Sequence, residues 1–117
     1  MKTVLVIDDD RTLGTTLVEM LELLGYKPML GSSFEDGKSY MDEGHIWDAI
    51  ISDYSLGGKT GLELLHYAEG VDALNHTKKI IASGYSSESL GIRPEDLNNI
   101  HWLTKPYSIQ ELTESIG

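Results

Sequence analysis

Short apolar runs alternate with amphipathic stretches along the whole chain. Thr3–Ile7 is a continuous apolar, β-branched run, the pattern of a strand buried on both faces. Leu13, Leu17, Met20, Leu21 and Leu24 then recur at helical spacing, and Gly25 supplies a stop. Tyr26–Leu30 predicts a second strand, with Pro28 marking a sheet edge. Ser33 predicts the N-cap of a helix from Phe34 to about Met41, although Gly37 lowers helix propensity there. Trp47–Ser52 predicts a third strand, ending at Asp53 and followed by the glycine-rich loop YSLGGKTG. Leu62, Leu65 and Ala68 or Glu69 mark the next helix. Lys79–Ala82 predicts a fourth strand, ending in SGYSS. Gly91 and Pro94 allow Glu88–Asn99 only a short or broken helix. Ile100–Leu103 predicts the fifth strand, which ends in Thr104, Lys105 and Pro106. Ser108 caps a last helix, Ile109–Ile116, and Glu111 completes a capping-box pattern.

Five strands alternating with helices imply right-handed crossovers and a parallel α/β sheet. Ligands of such sheets sit at the carboxyl ends of the strands, where strand order reverses. Those ends carry Asp8, Asp9 and Asp10 after the first strand and Asp53 after the third. Ser83 follows the fourth, and Lys105 and Pro106 follow the fifth. The polar chemistry therefore gathers on one rim.

Composition adds limits. A chain of 117 residues is one domain, residues 1–117, with enough length to bury a sizeable core. Its net charge of −10 repels nucleic acid and anionic lipid, and suits a metal ion or a basic partner surface. No apolar run approaches the ~20 residues that cross a bilayer. With no targeting signal and no cysteine, the expectation is a cytoplasmic protein without disulfides.

Three adjacent carboxylates at the end of a buried strand repel one another. Asp10 is placed to cap the helix that follows, which leaves Asp8 and Asp9 to converge with Asp53. Carboxylates from two strands make an oxygen-rich site for a hard cation, and Mg²⁺ favours such ligands. The cation offsets the repulsion. With the Ser83 hydroxyl and the Lys105 ammonium, the set has the parts for phosphoryl transfer to Asp53.

These residues resemble the receiver domain of two-component response regulators. The matching stretches are VLVIDDD, IISDYSLGG, IIASGYS and HWLTKPY. From Asp9 to Asp53 is 44 residues, from Asp53 to Ser83 is 30, and from Asp53 to Lys105 is 52, spacings similar to the family's. The resemblance implies a flavodoxin-like (βα)5 fold, a three-layer sandwich with strand order 2-1-3-4-5. It implies that Asp53 accepts phosphate from a sensor histidine kinase or a histidine phosphotransfer protein. Asp9 and Asp53 would ligate Mg²⁺ with the backbone carbonyl of Ser55, and Asp8 would hold a metal-bound water. Ser83 would be the switch hydroxyl, Lys105 would contact the phosphoryl group, and Pro106 would follow a cis peptide bond. Trp102 stands where the family has its rotating aromatic residue. The domain would act on no separate substrate, catalysing only its own phosphorylation and dephosphorylation. The fourth helix, fifth strand and fifth helix would change their affinity for a partner, and offer a face for dimerisation.

The sequence also departs from the family. Gly57 replaces a common proline, so the loop after Asp53 should be more mobile. Gly84 follows the switch serine, and Ser55 and Tyr85 occupy positions that tune phosphate lifetime. Two rival readings arise. Asp8-Asp9-Asp10-Arg11-Thr12 is similar to the first motif of haloacid-dehalogenase-type phosphatases, with Asp8 as nucleophile. Such enzymes need acidic metal ligands on a strand after the lysine, and only Glu111 and Glu114, in the final helix, follow Lys105. The other rival is a receiver-like interaction module without turnover. The stop at Gly117 fits either a stand-alone receiver or a piece of a longer regulator or hybrid kinase. His45, His66, His76 and His101 show no metal-ligand spacing.

Overall fold

All five apolar runs lie side by side in one parallel sheet. The computed structural model describes residues 1–117. In chain order the elements are β1 (Thr3–Ile7), α1 (Arg11–Leu23), β2 (Lys27–Gly31), α2 (Phe34–Asp42), β3 (Ala49–Asp53), α3 (Gly61–Glu69), β4 (Lys78–Ser83), β5 (Ile100–Thr104) and α4 (Ile109–Ile116). Strand order is β2-β1-β3-β4-β5. Chain direction reverses its march across the sheet between β1 and β3, which is the switch point of a doubly wound fold. Register brings the carboxyl ends level there. Ile7 pairs with Ser52, and Asp53 with Ala82, so Asp8 and Asp53 leave neighbouring strands together.

Alternation along the strands divides the core in two. Val4, Val6, Ala49, Ile51 and Ile80 pack with Leu21 of α1 and Leu112 and Ile116 of α4. Leu5, Ile7, Ile50 and Ile81 pack with Met41 of α2 and Leu64 and Leu65 of α3. Each fully buried aliphatic side chain stabilises the fold by about 1.5–3 kcal/mol. Gly37 sits inside α2 for a packing reason: a β-carbon there would lie 2.7 Å from Leu64 Cδ2 and 3.1 Å from Ile7 Cδ1.

Side-chain caps fix where the helices begin. Asp10 accepts from the Leu13 amide at 3.1 Å, Ser33 from Asp36 at 3.0 Å, and Thr60 from Glu63 at 3.1 Å. Ser108 and Glu111 form the reciprocal capping box. Trp47 lies outside β3, buried beneath a bond from the Thr77 hydroxyl to its carbonyl. A 3-10 turn at Asp72–Leu74 had no counterpart in the apolar pattern.

The fourth crossover, residues 84–99, forms no α-helix. Turns run to a short 3-10 segment, Pro94–Leu97, with Pro94 in its first turn. Leu97 packs on the α2–α3 side of the core, and the His66 ring on α3 donates to the Asp96 carbonyl at 2.8 Å. The face expected from a fourth helix, the fifth strand and the fifth helix lacks that fourth helix, because Gly91 takes φ +71° and Pro94 cannot continue a helical ladder.

Candidate functional site

Asp8 is the buried member of the acidic run, 7 % exposed. The Asp10 amide donates to Asp8 Oδ1 at 2.9 Å and orients the carboxylate. Asp9 is exposed, and Asp53 is half-buried at the end of β3. One carboxylate oxygen from each of Asp8, Asp9 and Asp53 lies within 4.8 Å of the others. Burial raises the Asp8 carboxyl above its ordinary range, opposed by the Asp10 amide. The charge of Asp53 adds to the rise, Lys105 opposes it, and Asp9 adds again. The predicted trio is thus brought together, while the Asp10 side chain caps the helix.

Lys105 reaches the same point from β5. Its backbone amide donates to the Ser83 carbonyl at 2.7 Å, and its peptide bond to Pro106 is cis. Its ammonium donates to Asp53 Oδ1 at 2.9 Å. Burial acts to lower the Lys105 pKa. The hydrogen bond and charge of Asp53 outweigh it, joined by Asp8 and Tyr107, and the net shift is upward. The site therefore holds a firmly cationic group against its central carboxylate.

The loop after Asp53 is a tight hairpin. Ser55 bridges Thr60, Leu56 donates to the Lys59 carbonyl at 2.9 Å, and Gly61 donates to the Tyr54 carbonyl at 2.6 Å. Its tip, Gly57-Gly58, takes φ +57° and +80°, the primed turn that matches hairpin twist. Proline, fixed near −65°, cannot enter that turn at Gly57. The glycines therefore fit this turn as well as relaxing the chain, and bonds on both sides tie it down. Lys59 adds an anchor, its ammonium 4.3 Å from the Phe34 ring centroid on α2.

Ser83 is buried, 4 % exposed. Its hydroxyl oxygen accepts from the Tyr85 amide at 3.1 Å. Asp53, Ser55, Ser83, Tyr85 and Leu90 line one cleft of about 400 Å³. Trp102 is half-buried on β5, its indole N–H bonded to the Tyr85 carbonyl at 3.0 Å and its ring 5.6 Å from that of Tyr54. Tyr107 was not anticipated. It shares a cavity of about 270 Å³ with Asp8, Lys105 and Leu13. Burial raises its phenol pKa, with Lys105 opposing and Asp8 and Asp53 reinforcing. Its place two residues after Lys105 was the available signal. The largest cavity, about 440 Å³, lies at the opposite end of β4. Its buried Lys79 is already engaged by the carbonyls of Leu74 and Thr77, and serves the fold.

The profile of the response regulator receiver domain matches residues 4–117. The chain belongs to that family. Among curated relatives, the receiver is 26 % identical to the transcriptional regulatory protein CpxR of Escherichia coli K12 over 99 % of this chain and 48 % of the relative. It thus spans about half the length of that relative. A solved receiver domain protein of Clostridium thermocellum superposes with a TM-score of 0.86 at 24 % identity, covering 99 % of this chain and 91 % of that one. TrrA of Thermotoga maritima, solved in complex with Mg²⁺-BeF, gives 0.84 at 24 % identity, covering 99 % and 96 %. These structural likenesses bear on the fold, and agree with the strand order seen here. The phosphatase reading of Asp8 gains nothing from the match, which assigns the same acidic strand end to a receiver.

Proposed function

We propose that residues 1–117 work as a phosphoacceptor domain whose acceptor is Asp53. One observation carries this reading: the carboxylates of Asp8, Asp9 and Asp53 converge within 4.8 Å while Lys105 grips Asp53 at 2.9 Å. The donor set is all oxygen, which fits Mg²⁺. Asp9, Asp53 and the Ser55 carbonyl would hold the ion directly, and Asp8 through water. Bound there, Mg²⁺ supplies positive charge that neutralises phosphoryl oxygens. TrrA with Mg²⁺-BeF and a Burkholderia pseudomallei response regulator with a phosphorylated aspartic acid and calcium support such chemistry in this fold.

The carboxylate oxygen of Asp53 attacks phosphorus of a phosphohistidine. An O–P bond forms, the N–P bond breaks, and the imidazole nitrogen leaves with the electron pair. Lys105 exchanges its carboxylate partner for a phosphoryl oxygen, and Ser83 donates to another. The donor is a sensor histidine kinase or a histidine phosphotransfer protein, and the setting is cytoplasmic. The domain acts on no separate substrate and catalyses only its own phosphorylation and dephosphorylation. The response is a population shift between two states of one fold, read out by a partner or output domain on the β5–α4 side.

Acetyl phosphate with Mg²⁺ tests the reading. One phosphoryl group should appear by intact mass, and Asp53→Asn should abolish it. No added mass from acetyl phosphate or from a phosphorylated histidine donor would favour the module without turnover.

A further inference from the structure

The hairpin after Asp53 carries one acceptor that the fold leaves free. No amide donates to the Ser55 carbonyl, although the carbonyls of Tyr54 and Lys59 in the same hairpin each accept a bond, from Gly61 at 2.6 Å and from Leu56 at 2.9 Å. The hairpin also lies against the acidic cluster: a β-carbon on Gly57 would sit 3.9 Å from Asp9 Oδ2. Where the hairpin stands therefore decides where a free carbonyl stands relative to Asp9 and Asp53.

Two side chains set that position, one on each arm. Leu56 is 5 % exposed and packs on the α2–α3 side of the core. Across the glycine tip, Lys59 is exposed, yet its ammonium lies 4.3 Å from the centroid of the Phe34 ring on α2. Phe34 in turn packs against the cluster that holds Leu56. The tip itself contributes little hold. Gly57 and Gly58 have no side chains, and the space where a Gly58 β-carbon would stand is open. We infer that Lys59 is a positioning residue for the divalent-ion site: seated on Phe34, it holds the return arm of the hairpin and so keeps the Ser55 carbonyl at the acidic cluster. The inference rests on the reading of Asp9, Asp53 and Ser55 as the groups that hold the ion, and adds α2 as the support of the third.

Lys59→Met keeps the unbranched stem and removes the charge. Its affinity for Mg²⁺, measured by calorimetry, should weaken by about two- to five-fold, the worth of an exposed cation–π contact. Charge alone predicts the opposite sign, since loss of a nearby cation strengthens the binding of another. Lys59→Arg keeps a cation on the ring and should bind Mg²⁺ as the native protein does. Phe34→Leu leaves the charge untouched and should weaken binding by a similar factor, and the double variant by no more than either single one. Without metal, the Leu56 amide should exchange with deuterium faster in Lys59→Met than in the native protein. Unchanged or tighter Mg²⁺ binding in Lys59→Met, an equal loss in Lys59→Arg, additive losses in the double variant, or unaltered exchange at Leu56 would each overturn the inference. If Asp9→Asn binds Mg²⁺ as tightly as the native protein, the ion lies elsewhere, and the reading beneath this inference fails with it.

Discussion

A β-carbon at Gly61 would lie 2.2 Å from the Asp53 carbonyl oxygen and 2.6 Å from Ser52 Oγ. Both obstacles are fixed, one by the backbone and one by the bond from Ser52 Oγ to that same carbonyl at 2.9 Å. Gly61→Ala should destabilise the fold by about 1–3 kcal/mol. Urea denaturation would measure it. Gly37→Ala meets side-chain ends of Leu64 and Ile7 rather than backbone, and gains up to about 1 kcal/mol of helix propensity, so its net cost should be smaller. Equal midpoints for the two variants would contradict this account. The contrast marks what a sequence carries at this scale. The convergence of Asp9, Asp53 and Lys105 was legible because carboxylates and an ammonium at neighbouring strand ends of a parallel sheet meet on one rim. Gly61 was not, because its requirement comes from how closely α3 approaches the end of β3.

Helix starts were the most readable elements. A cap is a local device, and Asp10, Ser33 and Ser108 each bond the amide three residues on. The fourth crossover was legible in outline, since Gly91 and Pro94 are both poor in helix interiors. The 3-10 turn at Asp72–Leu74 was not, because three residues are too few to set a period. The link between β2 and α2 carries a pH dependence. The Ser32 amide and hydroxyl each donate to Asp36 Oδ2 at 3.0 Å. The Ser32 amide first, then its hydroxyl, lower the Asp36 pKa below its ordinary 3.8. An acid depressed by folding contributes stability that is present above its unfolded pKa and lost as pH falls through the folded one. Asp36→Asn should therefore lose stability near neutrality and show a shallower decline below pH 4 in acid-melting curves. Identical slopes for the two proteins would refute the assignment.

Charge acts across the whole molecule. The chain carries −10 overall, and its three clustered carboxylates repel at the sheet rim with only Lys105 to offset them. A divalent ion that binds the folded state alone stabilises it by mass action. At about 100-fold above its dissociation constant Mg²⁺ should add roughly 2.7 kcal/mol, raising the melting temperature by roughly 10 °C. Asp9→Asn should remove most of that gain in a thermal melt. Retention of the full shift would place the ion elsewhere. At this scale the alternation of strands and helices pointed to a parallel sheet, but periodicity does not order strands. The 2-1-3-4-5 order was implied only by the motifs' resemblance to receivers.

Between Ser83 and Ile100 the chain relies on a few turn bonds, such as Ile92 to Ser87 and Asp96 to Arg93, on the bonds of Tyr85 to Ser83 and Trp102, on Leu97 and on the contact from His66. Such a stretch opens locally at low free energy, well below global unfolding. Its amides should take up deuterium early, ahead of β4 and β5 on either side, when the intact protein is followed by mass spectrometry. Protection across residues 85–99 equal to that of Lys78–Ser83 would contradict this. The segment that begins at Ser83 is thus the one a binding surface could remould with least work.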